Sequence, residues 1–367
     1  CAVQSCFFDA VGGNGVFINN YNRRIRVSGN RFTQAGESAI CLVGSQQHTV
    51  GTVEAFPADN LLANNLIHDC GVFGKQVAGI FSSFSQRNTI SHNLIYNMPR
   101  AGICINDGYF GGHIVEFNEV YATVRETSDH GPFNSWGRGR YWCLQQSHSK
   151  GFTSVHEAGD VLSEALEPTI IRHNYFHDNH GWGIDLDDGT SNYVVTHNLC
   201  VGISVKLREG DYRTVENNIF YKPAVPPGFH VGYDRNHDRF VRNIVVVDPG
   251  IDRPAEDASY LVQSAQGDLY QLIWPPCTEP WLEIDYNLLY DAKAPFSVTV
   301  RRRDGTVQKY TLEEWQALGY DQHSVFADPL FVDPEAEDFR LRPESPAYAL
   351  SLEGFDRSAV GLLANFP

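Results

Sequence analysis

No apolar run in the 367-residue chain approaches the roughly 20 residues that a membrane-spanning helix needs. Basic charge is scarce too: 28 Lys and Arg against 44 Asp and Glu leave a net charge of −16, with no long block of either sign. Such a surface repels nucleic acid and anionic membranes and is compatible with a neutral or cationic ligand or a sugar polymer. Leucine does not dominate and helical periodicity is missing from most of the chain, which argues against leucine-rich repeats and helical bundles. Residue 1 is not Met, and the opening CAVQSCFFDAVGGNGVF already reads as the middle of a repeat. Processing or truncation ahead of Cys1 is expected, with a secreted, periplasmic or cell-surface location.

What is present is a globular composition, 42% hydrophobic and 12% aromatic, so disorder is not the default. Of eight cysteines, Cys41, Cys104 and Cys200 sit in apolar strand contexts and read as packing residues; Cys1 with Cys6 is the pair to test for a bridge. Asparagine supplies the organising signal. Short apolar segments follow Asn30, Asn65, Asn93, Asn118, Asn174, Asn198, Asn218, Asn243 and Asn287, at steps of 35, 28, 25, 56, 24, 20, 25 and 44. Recurrence near 20–28 residues with two long insertions marks a solenoid. Strand-like segments such as TIIRHN and YVVTHN alternate apolar with polar residues between Gly and Asn turns. The fold expected is all-β, a right-handed parallel β-helix over residues 1–292 with a long insertion at about 122–168. Asn is expected at its tight turns because it tolerates the left-handed conformation and can bond along the stack. Residues 293–367 are read as a cap and extended tail. YTLEEWQALG there carries a capping box, Thr311 with Glu314, and a stop at Gly319.

The repeat aligns the acids. ICINDG at 103–108, IDLDDG at 184–189 and VKLREG at 205–210 share inward apolar first and third residues and outward second and fourth ones. ETSDHG at 126–131 is the closest match on the intervening coil. The resulting columns are Asn106, Asp129, Asp187, Arg208 and Asp107, His130, Asp188, Glu209, with coils about 4.8 Å apart. Paired carboxylates at such spacing suit acid/base cleavage of a glycosidic bond, because like charges raise one pKa and leave the other group ionised. Asp187 and Glu209 are the expected catalytic pair, with Asp129 and Asp188 tuning them. Asp107, His130, Asn134, Trp136, Arg138, Trp182, Asp185, Lys206 and Arg208 are the expected sugar contacts. The aromatic and basic residues of SDHGPFNSWGRGRYW belong to the insertion, and long loops on rigid scaffolds are commonly functional.

DHGPFNSWGR, GWGIDLDDGTSNY and KLREG resemble signature segments of the secreted right-handed β-helix proteins that act on polysaccharides. A narrower likeness, over about two coils, is to the retaining β-helix β-xylosidases. It implies a nucleophilic Asp187 and an acid/base Glu209. Two departures stand out: Asp188 occupies the position of that family's Trp, and the His-Gly-Pro that follows its Glu lies here at His130 on another coil. The expectation is a glycosidase needing no metal or cofactor, acting on a carbohydrate polymer or oligosaccharide. The rival enzyme is a polysaccharide lyase, with Lys206, Arg208 or His130 as base and Ca²⁺ held by the acids. A non-catalytic glycan-binding solenoid is the third reading.

Overall fold

The computed structural model describes residues 1–45, 55–137, 161–230, 236–248, 268–273, 282–291, 296–302 and 306–367. Successive segments wind through three long sheets of ten, eleven and eleven strands, each coil giving one strand to each sheet. Pairing between coils is parallel and in register, as in Thr89↔Ile114, Ile114↔Ile170 and Thr169↔Tyr193. The fold is a parallel β-helix. Its interior is filled by one inward residue above another, including Val27, Leu62, Ile90, Val115, Ile171, Val195 and Val215, all buried.

The nine asparagines form a continuous ladder along the bend between the first and second sheets. The backbone N–H of each donates to the Oδ1 of the next, from Asn30 on Asn65 (3.1 Å) to Asn243 on Asn287 (2.9 Å). Each amide group between also donates to its successor's Oδ1, as Asn174 does to Asn198 at 2.9 Å. This satisfies polar backbone at a bend that has no room for water. The left-handed residue at the bend is the one before each Asn, such as His92 (φ 54°), Phe117 (φ 53°) and His173 (φ 54°). Asn is therefore selected for its amide, not for its backbone tolerance.

Two boundaries and one cysteine pairing differ from expectation. The solenoid runs past residue 292, because Ser297–Arg301 pairs parallel with Asp268–Ile273. The coil after Asn118 is regular through Phe133–Trp136, so the insertion begins after residue 136 and not near 122. Cys1 and Cys6 are free thiols.

The helix Leu312–Ala317 has the expected capping box, with Thr311 and Glu314 bonding each other's backbone, and Gly319 follows at φ 97°. Its Trp315 is buried, stacks on Tyr320 at 4.2 Å and donates from Nε1 to Asp321 at 2.9 Å. Asp321 also accepts from Asn287, so this end of the solenoid finishes the ladder with a carboxylate. The tail beyond it does not stay at that end. It runs back over the second sheet, through Tyr221–Glu335, Tyr175–Glu337 and Gly361 on Phe117, until the Leu363 N–H reaches Asn64 at 2.8 Å.

Candidate active site

The third sheet carries the acids. Strands Phe133–Trp136, Ile184–Asp187 and Val205–Arg208 stack with Asn134↔Asp185↔Lys206 in one outward column. In the next, Trp136 pairs with Asp187, and Arg208 with His230 on Gly228–His230. Asp107, Asp188 and Glu209 follow as left-handed corner residues at φ 47°, 30° and 45°. The alignment of 184–189 with 205–210 thus holds.

ETSDHG does not occupy that register. The Trp182 N–H donates to the His130 carbonyl at 2.8 Å, so Asp129 and His130 sit over the turn that enters the acidic strand, seven residues early. They reach the cluster all the same. Oxygens of Asp129 and Asp185 and a ring nitrogen of His130 lie within 4.8 Å of one another.

A buried charge network fills the site. Asp185 is 0% exposed; Lys206 Nζ lies 2.7 Å from its Oδ1, and Asn134 donates to its Oδ2 at 3.0 Å. The same ammonium is 3.1 Å from Asp187, and the Trp182 ring covers it at 4.5 Å. Arg208 spans three acids: Asp187 at 3.2 Å, Asp188 at 3.3 Å and Glu209 at 3.8 Å. Asp129, with a 45% exposed side chain, is held by Arg100 at 3.3 Å and His130 at 3.2 Å. Asn134, Trp182, Asp185, His130 and Lys206 are buried within this network, contrary to their expected place against a sugar. Trp136 stays partly exposed and donates to Asp107 at 3.3 Å, while Asn106 is turned toward Cys104. Arg138 lies outside the described residues.

Asp129, Asp185, Asp187, Asp188 and Glu209 outnumber Arg100, Lys206 and Arg208 by five to three. The proton that relieves this excess rests on the most desolvated member. Burial, with repulsion from Asp187 and Asp129, pushes Asp185 up to about 8 against the pull of Lys206. Burial also opposes ionisation of Asp187, but Lys206 and then Arg208 hold it below the usual carboxylate range. Asp129 is driven lower still: burial works against its charge, and His130, Lys206 and Arg100 overcome it. Burial lowers the imidazoles of His130 and His230, which favours their neutral forms.

One prediction follows from the Asp185 shift. Between its unfolded value of 3.8 and about 8, the folded protein holds a proton that the unfolded chain has shed. Stability from this group is greatest at the acid end of the window and falls as pH rises through it. Asp185→Asn is expected to flatten that fall in Tm measured across the window; an unchanged slope would count against a proton resting on Asp185.

Two members escaped the sequence reading. Arg100 precedes ICINDG and carries no pattern of its own. His230 lies in GFH, whose Phe229 points inward as Leu207 does, so the repeat could have been extended by one coil. A cation fits the Asp129–His130–Asp185 group poorly, because the Lys206 ammonium already occupies the position beside Asp185.

No protein-family model matches the chain, and no curated protein matches it. Solved structures resemble it at low identity and with TM-scores below 0.5. A mutant of the PL6 family alginate lyase AlyGC is 11% identical with TM-score 0.42, covering 100% of this chain and 55% of that one. A mannuronic acid specific polysaccharide family 6 lyase from human gut microbiota is 14% identical with TM-score 0.46, covering 92% and 74%. DFA-IIIase from Arthrobacter chlorophenolicus A6 in complex with GF2 is 13% identical with TM-score 0.36, covering 96% and 61%. The chain thus spans less than two thirds of the first and third of these.

Proposed function

We propose that the protein cleaves glycosidic bonds in a carbohydrate polymer or oligosaccharide by two-carboxylate hydrolysis. The observation that supports this reading is a set of neighbouring carboxyls with opposed proton affinities. Asp185 tends to keep a proton, while Asp129, within 4.8 Å, and Asp187, on the same strand, tend to lose theirs. Groups whose environments push their pKa values apart divide into acid and base.

Asp187, ionised beside Lys206 and Arg208, is the nucleophile or the base that activates water. The leaving oxygen takes the proton held on Asp185, relayed through the His130 ring that neighbours it, while the ionised Asp129, the most exposed acid of the group, orients that ring. Glu209, first expected as the acid/base, is buried behind Arg208 and serves to orient that guanidinium. Trp136, Asp107 and the partly exposed Arg208 and Arg100 form the edge that a sugar meets.

A lyase is the second reading, favoured by His130, a near-neutral imidazole beside Arg100, as base and charge neutraliser. Lys206 does not suit that role, since Asp185 and Asp187 hold it in its charged form. Incubation with a panel of plant and algal polysaccharides separates the readings. Hydrolysis releases reducing ends without an ultraviolet-absorbing unsaturated product, elimination gives that product, and a glycan-binding solenoid gives saturable binding with no turnover. Asp129→Asn and Asp187→Asn are each expected to lower turnover at least about 100-fold. Full activity in both variants would overturn the assignment.

A further inference from the structure

Beneath the acidic cluster lies a second buried ion pair that touches none of the acids assigned above. Arg213 opens the first-sheet strand Arg213–Glu216 and is 1% exposed. Its Nε donates to Asp238 Oδ1 at 3.0 Å and one terminal nitrogen to Oδ2 at 2.5 Å, a two-point grip that Asn236 reinforces at 2.9 Å. The remaining donors go elsewhere. They bond the carbonyls of Arg208 at 3.1 Å and Gly210 at 3.2 Å, the two that bracket Glu209.

That turn needs support. Glu209 is left-handed at φ 45°, a conformation that costs a side-chain-bearing residue about 1 kcal/mol. Gly210 is pressed so tightly that an added Cβ would meet the Thr190 carbonyl at 2.0 Å and the Arg213 guanidinium at 2.9 Å. The turn presents Arg208, whose head spans Asp187, Asp188 and Glu209. A small tilt of the turn would therefore move one of the two cations that flank Asp187.

We propose that Arg213, anchored by Asp238, is a positioning residue that fixes the 208–211 turn and so sets Arg208 and Glu209 in the acidic cluster. This deepens the hydrolase reading and rests on it for its effect on turnover, though not for its effect on the turn. Only a planar guanidinium can grip a carboxylate at two points and still reach two carbonyls. An ammonium has three donors around one point and cannot span them.

The test uses the full chain with Arg213→Lys and Asp238→Asn. Amide exchange at residues 208–212 is expected to rise about tenfold or more, while exchange in the Asn118–Asn198 stretch of the ladder is unchanged. On a glycan that the native protein cleaves, kcat is expected to fall about 100-fold with KM within about threefold, as for a misplaced rather than a missing group. Unchanged exchange at the turn, or a rise spread evenly through the solenoid, would overturn the proposal. So would a loss confined to KM. If Arg213→Lys does not fold, Asp238→Asn carries the test, because it keeps both carbonyl bonds and removes the anchoring charge with one of its two acceptor oxygens. Absence of cleavage by the native protein would overturn the hydrolase reading alone, and the exchange measurement would still decide the role of Arg213.

Discussion

Replacing Lys206 with Met is expected to destabilise the protein by about 3–5 kcal/mol at neutral pH. Met matches the length of the stem and its contact with Trp182, so packing is nearly conserved and the loss is one of charge. The ammonium is shared by Asp185 at 2.7 Å and Asp187 at 3.1 Å, in a site closed to solvent. Removing it leaves the ionised, buried Asp187 with Arg208 alone. Asp185 then keeps its proton to still higher pH, so the penalty should grow as pH rises above about 8, where the native protein sheds that proton. Denaturant unfolding of Lys206→Met across that range checks the sign. Adding Asp185→Asn in the same chain should remove that growth above about 8 and leave the neutral-pH loss, which belongs to Asp187. A penalty below about 1 kcal/mol at neutral pH would mean that the network is not held together by this cation.

The second large effect is expected in the ladder. Asn174 accepts from the Asn118 backbone and side chain at 2.9 Å each, and donates to the carbonyls of Val115 and Arg172 and to Asn198. Asn174→Ala strands several of these partners in the wall of the solenoid at once. Each buried group left without a bond costs about 1–3 kcal/mol, so a total of about 3–5 kcal/mol is expected by denaturant unfolding. Asn174→Asp is the informative companion: it keeps the acceptors, removes the donors and adds a charge, and should be at least as damaging. A loss near zero in both would show that water replaces the amide.

These two sites also show why some of the architecture was readable in advance. The ladder Asn must recur once per coil because its amide is used by its neighbours on both sides, and periodic use leaves a periodic letter. The match of IDLD to VKLR was legible for the same reason: Ile184, Leu186, Val205 and Leu207 are core residues whose spacing the sheet dictates. FNSW was hidden because Ser135, its second inward residue, is polar and is satisfied inside by the Tyr193 hydroxyl at 2.7 Å. With that apolar beat missing, ETSDHG was the better match by composition. Arg100 and the pairing of Arg213 with Asp238 depend on contacts between separate coils, which leave no local spacing to read.

The returning tail has a mechanical consequence. A stack of coils ordinarily loses its outer members one by one, since each is fastened only to the next. Here the last residues are tied to Asn64, near the opposite extremity, and pass the Phe117 carbonyl on the way. Early coils cannot peel away without first releasing the final segment. Fraying at either extremity is thereby coupled to the other, and the protein should resist pulling or proteolysis until the strap lets go, then give way as one unit.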